Sequence, residues 1–135
     1  MKKVIGMLLL SIFSVIVLSG CIKQIPLTPE GAKVVYIGVD LADKLPGKPL
    51  DKCKIIQHLT LQTDNPYAPN GCWSARQFEP LIRNKTAEAG GNCAVFVTLL
   101  NPQRDFISGL PCWTGAQGMA LLCDDATLSA AGFKK

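Results

Sequence analysis

The sequence predicts a small α/β (α+β) domain: a mixed sheet of about four strands with one main helix on one face, in the order β-β-α-β-β, stapled by disulfides. Three observations lead there. Short runs rich in β-branched and aromatic residues are bounded by Pro, Gly and Asn, as strands are. One segment carries apolar residues at helical spacing and closes on Gly90-Gly91. Cysteines fall at or near the ends of these runs, in a chain that opens like an exported protein.

Taken in order, KVVYIGV (Lys33 to Val39) reads as the first strand and LPGKP (Leu45 to Pro49) as a turn-rich connection. CKIIQHLTL (Cys53 to Leu61) reads as the second strand, and TDNPYAPNG (Thr63 to Gly71) as a loop. Ser74 to Ala89 reads as the helix. Ser74 can cap it, and Phe78, Leu81, Ile82 and Ala89 fall near one face. Pro80 either kinks this helix or marks where its regular part begins. AVFVTLL (Ala94 to Leu100) is the clearest strand. Asn101 to Gln117 reads as a long loop and GMALLC (Gly118 to Cys123) as a final short strand. The second and third strands, joined by a helix, are expected to run parallel with a right-handed crossover; the last two are expected to be antiparallel.

The chain begins Met1-Lys2-Lys3, and the 15 residues Val4 to Leu18 carry no charge. That run is short of the roughly 20 residues a spanning helix needs, so it reads as a secretory signal peptide rather than an uncleaved anchor. Leu18-Ser19-Gly20-Cys21 directly after it resembles the lipobox of bacterial lipoproteins. That resemblance implies removal of residues 1–20 and lipid on Cys21. Two or three acyl chains, at about 0.8 kcal/mol per buried methylene, hold a protein on a membrane. Ile22, where an Asp would retain the protein at the inner membrane, points to the outer membrane. Residues 21–31 then form the anchor and a short Pro-containing linker, 32–124 the globular domain, and 125–135 a flexible tail. Residues 22–31 reach at most about 33–36 Å when extended, which keeps the domain near the membrane.

Removing residues 1–20 from 135 leaves 115, enough for one domain. It also lowers Lys+Arg from 14 to 12 against 10 acids, a net charge of about +2. So mild a charge on an exported chain argues against nucleic acid, and no pattern marks a small-molecule substrate or a cofactor.

The five remaining cysteines sort by the ends of the sheet. Cys53, Cys93 and Cys123 fall at one end, Cys72 and Cys112 at the other. Bridged Cα atoms lie within about 7 Å, so Cys72–Cys112 is the only pair at its end. Of the three at the opposite end, Cys53–Cys123 is the favoured bridge, with Cys93 as a buried free thiol. Zinc is the rival, but no C-x-x-C occurs, and the only histidine, His58, sits in the middle of a strand.

His58 is also the only candidate base for a hydrolase, with no triad partners evident. Asp124 and Asp125 are adjacent and, if extended, point apart. Non-enzymatic contact is the stronger expectation. Cys72-Trp73 and Cys112-Trp113 repeat one dipeptide, and a bridge between them gathers both tryptophans, either as an interface or as core. The loop 101–111 exposes Arg104, Asp105 and Phe106 beside them. Trp73, Trp113, Arg104 and Phe106 are therefore the expected partner-binding residues.

The run Ile82 to Val95, IRNKTAEAGGNCAV, resembles the helix-to-strand segment of small bacterial lipoproteins with an RcsF-like domain, through Arg83, Asn84, Lys85, Ala87, Glu88, Gly90 and Asn92. The likeness extends over about Glu30 to Asp124. It implies an outer-membrane lipoprotein with its domain in the periplasm or at the cell surface. It also implies a Cys53–Cys123 bridge and a loop-to-loop Cys72–Cys112 bridge. The expected partner of such a non-enzymatic chain is an envelope protein, in stress sensing or envelope assembly; the alternative is a structural accessory subunit of an envelope complex such as a secretion system. The linker here is short, where RcsF has a long Pro-rich one, and Cys93 replaces a small apolar residue.

Overall fold

The computed structural model describes residues 25–38, 49–63, 72–106 and 108–133. Its elements in chain order are α1 (Pro29–Lys33), β1 (Val35–Ile37), a 3-10 turn (Pro49–Lys52), β2 (Lys54–Gln62), α2 (Ala75–Glu88), β3 (Cys93–Arg104), β4 (Pro111–Leu122) and α3 (Asp125–Ala130). The four strands form one mixed sheet in the order β1-β3-β4-β2. The expected β-β-α-β-β framework is therefore present, with a different strand order. β1 pairs β3 in parallel, and β4 pairs both β3 and β2 antiparallel. β2 and β3 do run in the same direction, but β4 lies between them.

β1 is short because the residues before it are helical: Lys33 ends α1 and Val34 caps it. Val39, the turn 45–48, most of the loop 63–71, the apolar run and Cys21 fall outside the described residues. α2 starts at Ala75 and continues through Pro80, so the proline sits inside the helix rather than at its first turn. It costs the bond to the Arg76 carbonyl. The Gln77 side chain reaches back and accepts from the Ser74 backbone N–H (2.8 Å), which secures the start.

The sheet is covered on one face and at one end of the other. On one, Phe78 and Ile82 of α2 pack with Leu59, Leu61, Trp73, Ala94, Phe96, Ala116 and Ala120. At the Cys93 end of the other lies a second core of Ile37, Cys93, Val95, Leu121, Cys123 and Leu128. The sequence reading places a helix on one face only. α3 and the 3-10 turn cover the second core, and they lie against each other.

Two further segments are more ordered than expected. Pro26 to Gly31, which the sequence places in the linker, docks along α2. Asn84, buried in mid-helix, accepts from the Thr28 backbone N–H (2.9 Å) and hydroxyl (3.0 Å), and donates to Pro26 O (3.0 Å). Arg83 donates to Gly31 O and Ala32 O at the end of α1. Gly31 has no room for a side chain, since a Cβ there would overlap Asn84 Oδ1. The expected tail from Asp124 instead forms α3. Asp124 caps it by accepting from the Thr127 N–H (2.6 Å), and Thr127 and Leu128 are buried.

The largest departure is in the hairpin. Residues 101–117 were expected to be loop, but β3 runs to Arg104 and β4 begins at Pro111. Two prolines misled the reading, and both sit where the ladder asks for no N–H. The Asp105 N–H donates to Leu110 O (2.8 Å), which makes 105↔110 a hydrogen-bonded pair. By alternation 104↔111 and 102↔113 are non-bonded pairs, so Pro102 and Pro111 remove nothing.

Candidate functional site

Both disulfides are present. Cys53–Cys123 and Cys72–Cys112 have Cα separations of 4.5 and 5.5 Å, and Cys93 is free and buried. Burial pushes the Cys93 thiol up to about 11, so it stays protonated and unreactive near neutral pH. Asn92 holds this end together. Its backbone N–H donates to Leu121 O and its carbonyl accepts from Val35 N–H. Its side chain brackets Cys123, donating to the carbonyl (2.7 Å) and accepting from the N–H (2.9 Å). Among the described residues no group of three or more His, Cys, Asp and Glu could hold a metal ion. His58 is exposed on β2.

Several residues of the run 82–95 thus have structural roles here. Arg83 and Asn84 dock the N-terminal segment, and Asn92 clamps three strands. Gly90 takes φ +82 after the helix. Lys85 and Glu88 form an exposed pair at 2.7 Å, a geometry that contributes little in water.

The Cys72–Cys112 end is the candidate contact site. Trp73 and Trp113 form a two-residue antiparallel bridge, each N–H donating to the other's carbonyl at 2.8 Å. The dipeptide repeat is therefore a backbone pairing beside a disulfide. Trp73 is only 2 % exposed, with its ring 5.1 Å from that of Phe78, so the expectation that it meets a partner is corrected: it is core. The physical reason is area: a ring this large gains most by burial, and Trp73 sits in the core cluster with Phe78 and Ile82. Trp113 is half-buried against the same core.

Beyond the staple, β3 and β4 end in a tight tip. Gly109 N–H donates to Asp105 O (2.8 Å), and Gly109 takes φ +68, which suits glycine. The Ser108 N–H and hydroxyl both donate to Asp105 Oδ1 (2.7 and 2.9 Å), an Asx-type closure. Leu110 N–H donates to Ser108 Oγ and Arg104 to Gly109 O, both at 3.3 Å. On this platform Phe106 is 98 % exposed and Leu110 65 %, with Arg104 exposed at its base. The structure brings Arg104 and Phe106 together at the tip. It adds Leu110, which the sequence reading did not single out; its signal was an apolar residue between Gly109 and Pro111, inside a turn. No known protein family, curated protein or solved structure matches this chain.

Proposed function

We propose that this chain is a non-enzymatic, membrane-anchored bacterial lipoprotein, attached through Cys21, that binds another envelope protein in stress sensing or envelope assembly. The β3–β4 tip is the contact surface, with Phe106 as its anchor, Leu110 beside it, and Arg104 and the exposed edge of Trp113 flanking it.

The observation that carries this reading is Phe106: a large apolar ring held almost wholly in water on a loop closed by hydrogen bonds. Aromatic anchors dominate protein interfaces, and a tip already ordered loses little entropy on docking. The lipobox resemblance and the likeness to RcsF-like chains support the location.

The test is photo-crosslinking in intact cells with a reactive residue in place of Phe106. A discrete adduct with one envelope protein is expected. With lipidation and disulfides intact, capture of lipid alone or of nothing removes the tip as the contact surface. Phe106→Ala in the same cells is expected to weaken capture from a second reactive residue at Leu110 by tenfold or more, the effect of losing about 1.4 kcal/mol or more at a hot spot.

A further inference from the structure

Among the described residues β2 is an outer strand of the sheet, and it is long: nine residues against three in β1 at the opposite edge. One hydrogen bond tells which of its backbone groups face outward. The Thr63 N–H donates to Thr114 O of the neighbouring chain segment (2.8 Å). From there the pairing with β4 is unbroken, from Gln62↔Gly115 to Gln57↔Ala120. Residues of an antiparallel ladder alternate between facing their partner and facing away. Leu61, Leu59 and Gln57 therefore turn their N–H and C=O groups toward β4. Gln62, Thr60 and His58 turn theirs outward.

This outward frame is its own complement. About a two-fold axis through Thr60, a second copy sets Thr60 against Thr60 and His58 against Gln62, each a hydrogen-bonded pair. Edges are commonly guarded by Lys, Pro, bulges or shortness. β2 has no proline. Its one lysine, Lys54, and its one register shift, between Ile55 and Gln57, lie at the end away from this axis. The side chains of the frame, His58, Thr60 and Gln62, are exposed and include no carboxylate or lysine, so two copies meet without like charges. The outer edge of β3, by contrast, carries Pro102.

We propose that the chain associates with a second copy by antiparallel pairing of β2 about Thr60, joining two four-stranded sheets into one. Backbone pairing over a few residues is a small contact, below the size of an obligate interface. Confinement of both copies to a membrane raises their effective concentration and lets so small a contact hold. That last step rests on the lipid-anchor reading; the pairing frame does not.

The test uses the full chain in a bacterial host. In a hydrogen-bonded pair the two Cα atoms are about 5.5 Å apart, so Thr60→Cys puts two thiols within reach of a short bis-maleimide. The expected result is a band at twice the monomer mass. It should be absent from the unsubstituted chain and from Thr98→Cys, an exposed position on β3. Thr60→Pro removes an outward N–H without touching the ladder to β4, and edge strands tolerate proline there. With both disulfides formed it is expected to abolish the dimer captured by an amine cross-linker from the unsubstituted chain. A monomer for Thr60→Cys, or an adduct of unequal mass, overturns the proposal. So does unchanged capture with Thr60→Pro. Membrane fractionation separates the two readings: a dimer away from the membrane keeps the pairing and removes the anchor, and a membrane-bound monomer does the reverse.

Discussion

At the end of the sheet where Cys53 meets Cys123, the structure closes in on itself. Cys93 and Cys123 are buried, Asn92 brackets Cys123 with its side chain, and Leu128 of α3 packs in one cluster with Leu121 and Cys123. At the other end Cys72 meets Cys112, and just beyond it Phe106 stands in water. Each end has one disulfide, but the two staples serve different purposes. One seals a small second core. The other ties the segment before α2 to β4, near the base of the tip.

The largest test of that contrast removes each staple. By loop closure alone the two are nearly equal, about 4 kcal/mol each, because the cost grows only with the logarithm of the 70- and 40-residue separations. The closed end adds buried packing. Cys53→Ala/Cys123→Ala is therefore expected to lose about 4 kcal/mol or more in urea unfolding, and more than Cys72→Ala/Cys112→Ala. Equal losses would mean that the second core adds nothing beyond chain entropy.

A smaller effect sharpens the comparison without touching a covalent bond. Asn92→Ala leaves the N–H and carbonyl of Cys123 without their side-chain partners at a half-buried site, which costs about 1–3 kcal/mol. Phe106→Ala at the open end is expected to move the unfolding midpoint by less than about 0.5 kcal/mol, since it removes a ring that touches almost nothing. A large loss for Phe106→Ala would show that the tip is part of the fold rather than a surface for something else.

How much of this was legible in the sequence follows the same division. The strands announce themselves through runs of β-branched and aromatic residues, and the helix through apolar residues at helical spacing. The placing of cysteines at the two ends then limits the pairings. The order of strands was not legible, because nothing local in β2 says that it joins β4 rather than β3. The distal hairpin was missed because Asn-Pro and Leu-Pro read as loop, and only the hydrogen-bond phase shows that Pro102 and Pro111 are harmless there. Trp73 could not be assigned, since a ring beside a staple serves equally as core or contact until its neighbours are known. The short helices did leave signals. Thr28-Pro29-Glu30 is a cap followed by a first-turn proline, and Asp124 with Gly132 (φ +88) brackets α3. Each is too brief to stand without the core it covers.

The smallest expected effect concerns that cover. The Asp124 carboxyl is held below the usual carboxylate range, chiefly by a bond from the Thr127 side chain, then by the Thr127 backbone N–H, with the Lys52 charge adding to it. A carboxylate whose folded-state pKa is depressed stabilises the fold fully above its unfolded value, and that contribution is lost as pH falls through the folded value. Acidification below the ordinary carboxylate range is therefore expected to loosen α3. Amide exchange at Thr127 and Leu128, corrected for its intrinsic pH dependence, should accelerate relative to Phe96 as the pH drops. Asp124→Asn separates charge from geometry: asparagine caps a helix about as well, so the variant should keep α3 but lose its acid sensitivity. If exchange in the Asn variant still accelerates on acidification, the closing of this end depends on a different carboxyl group, and Asp124 is only a cap.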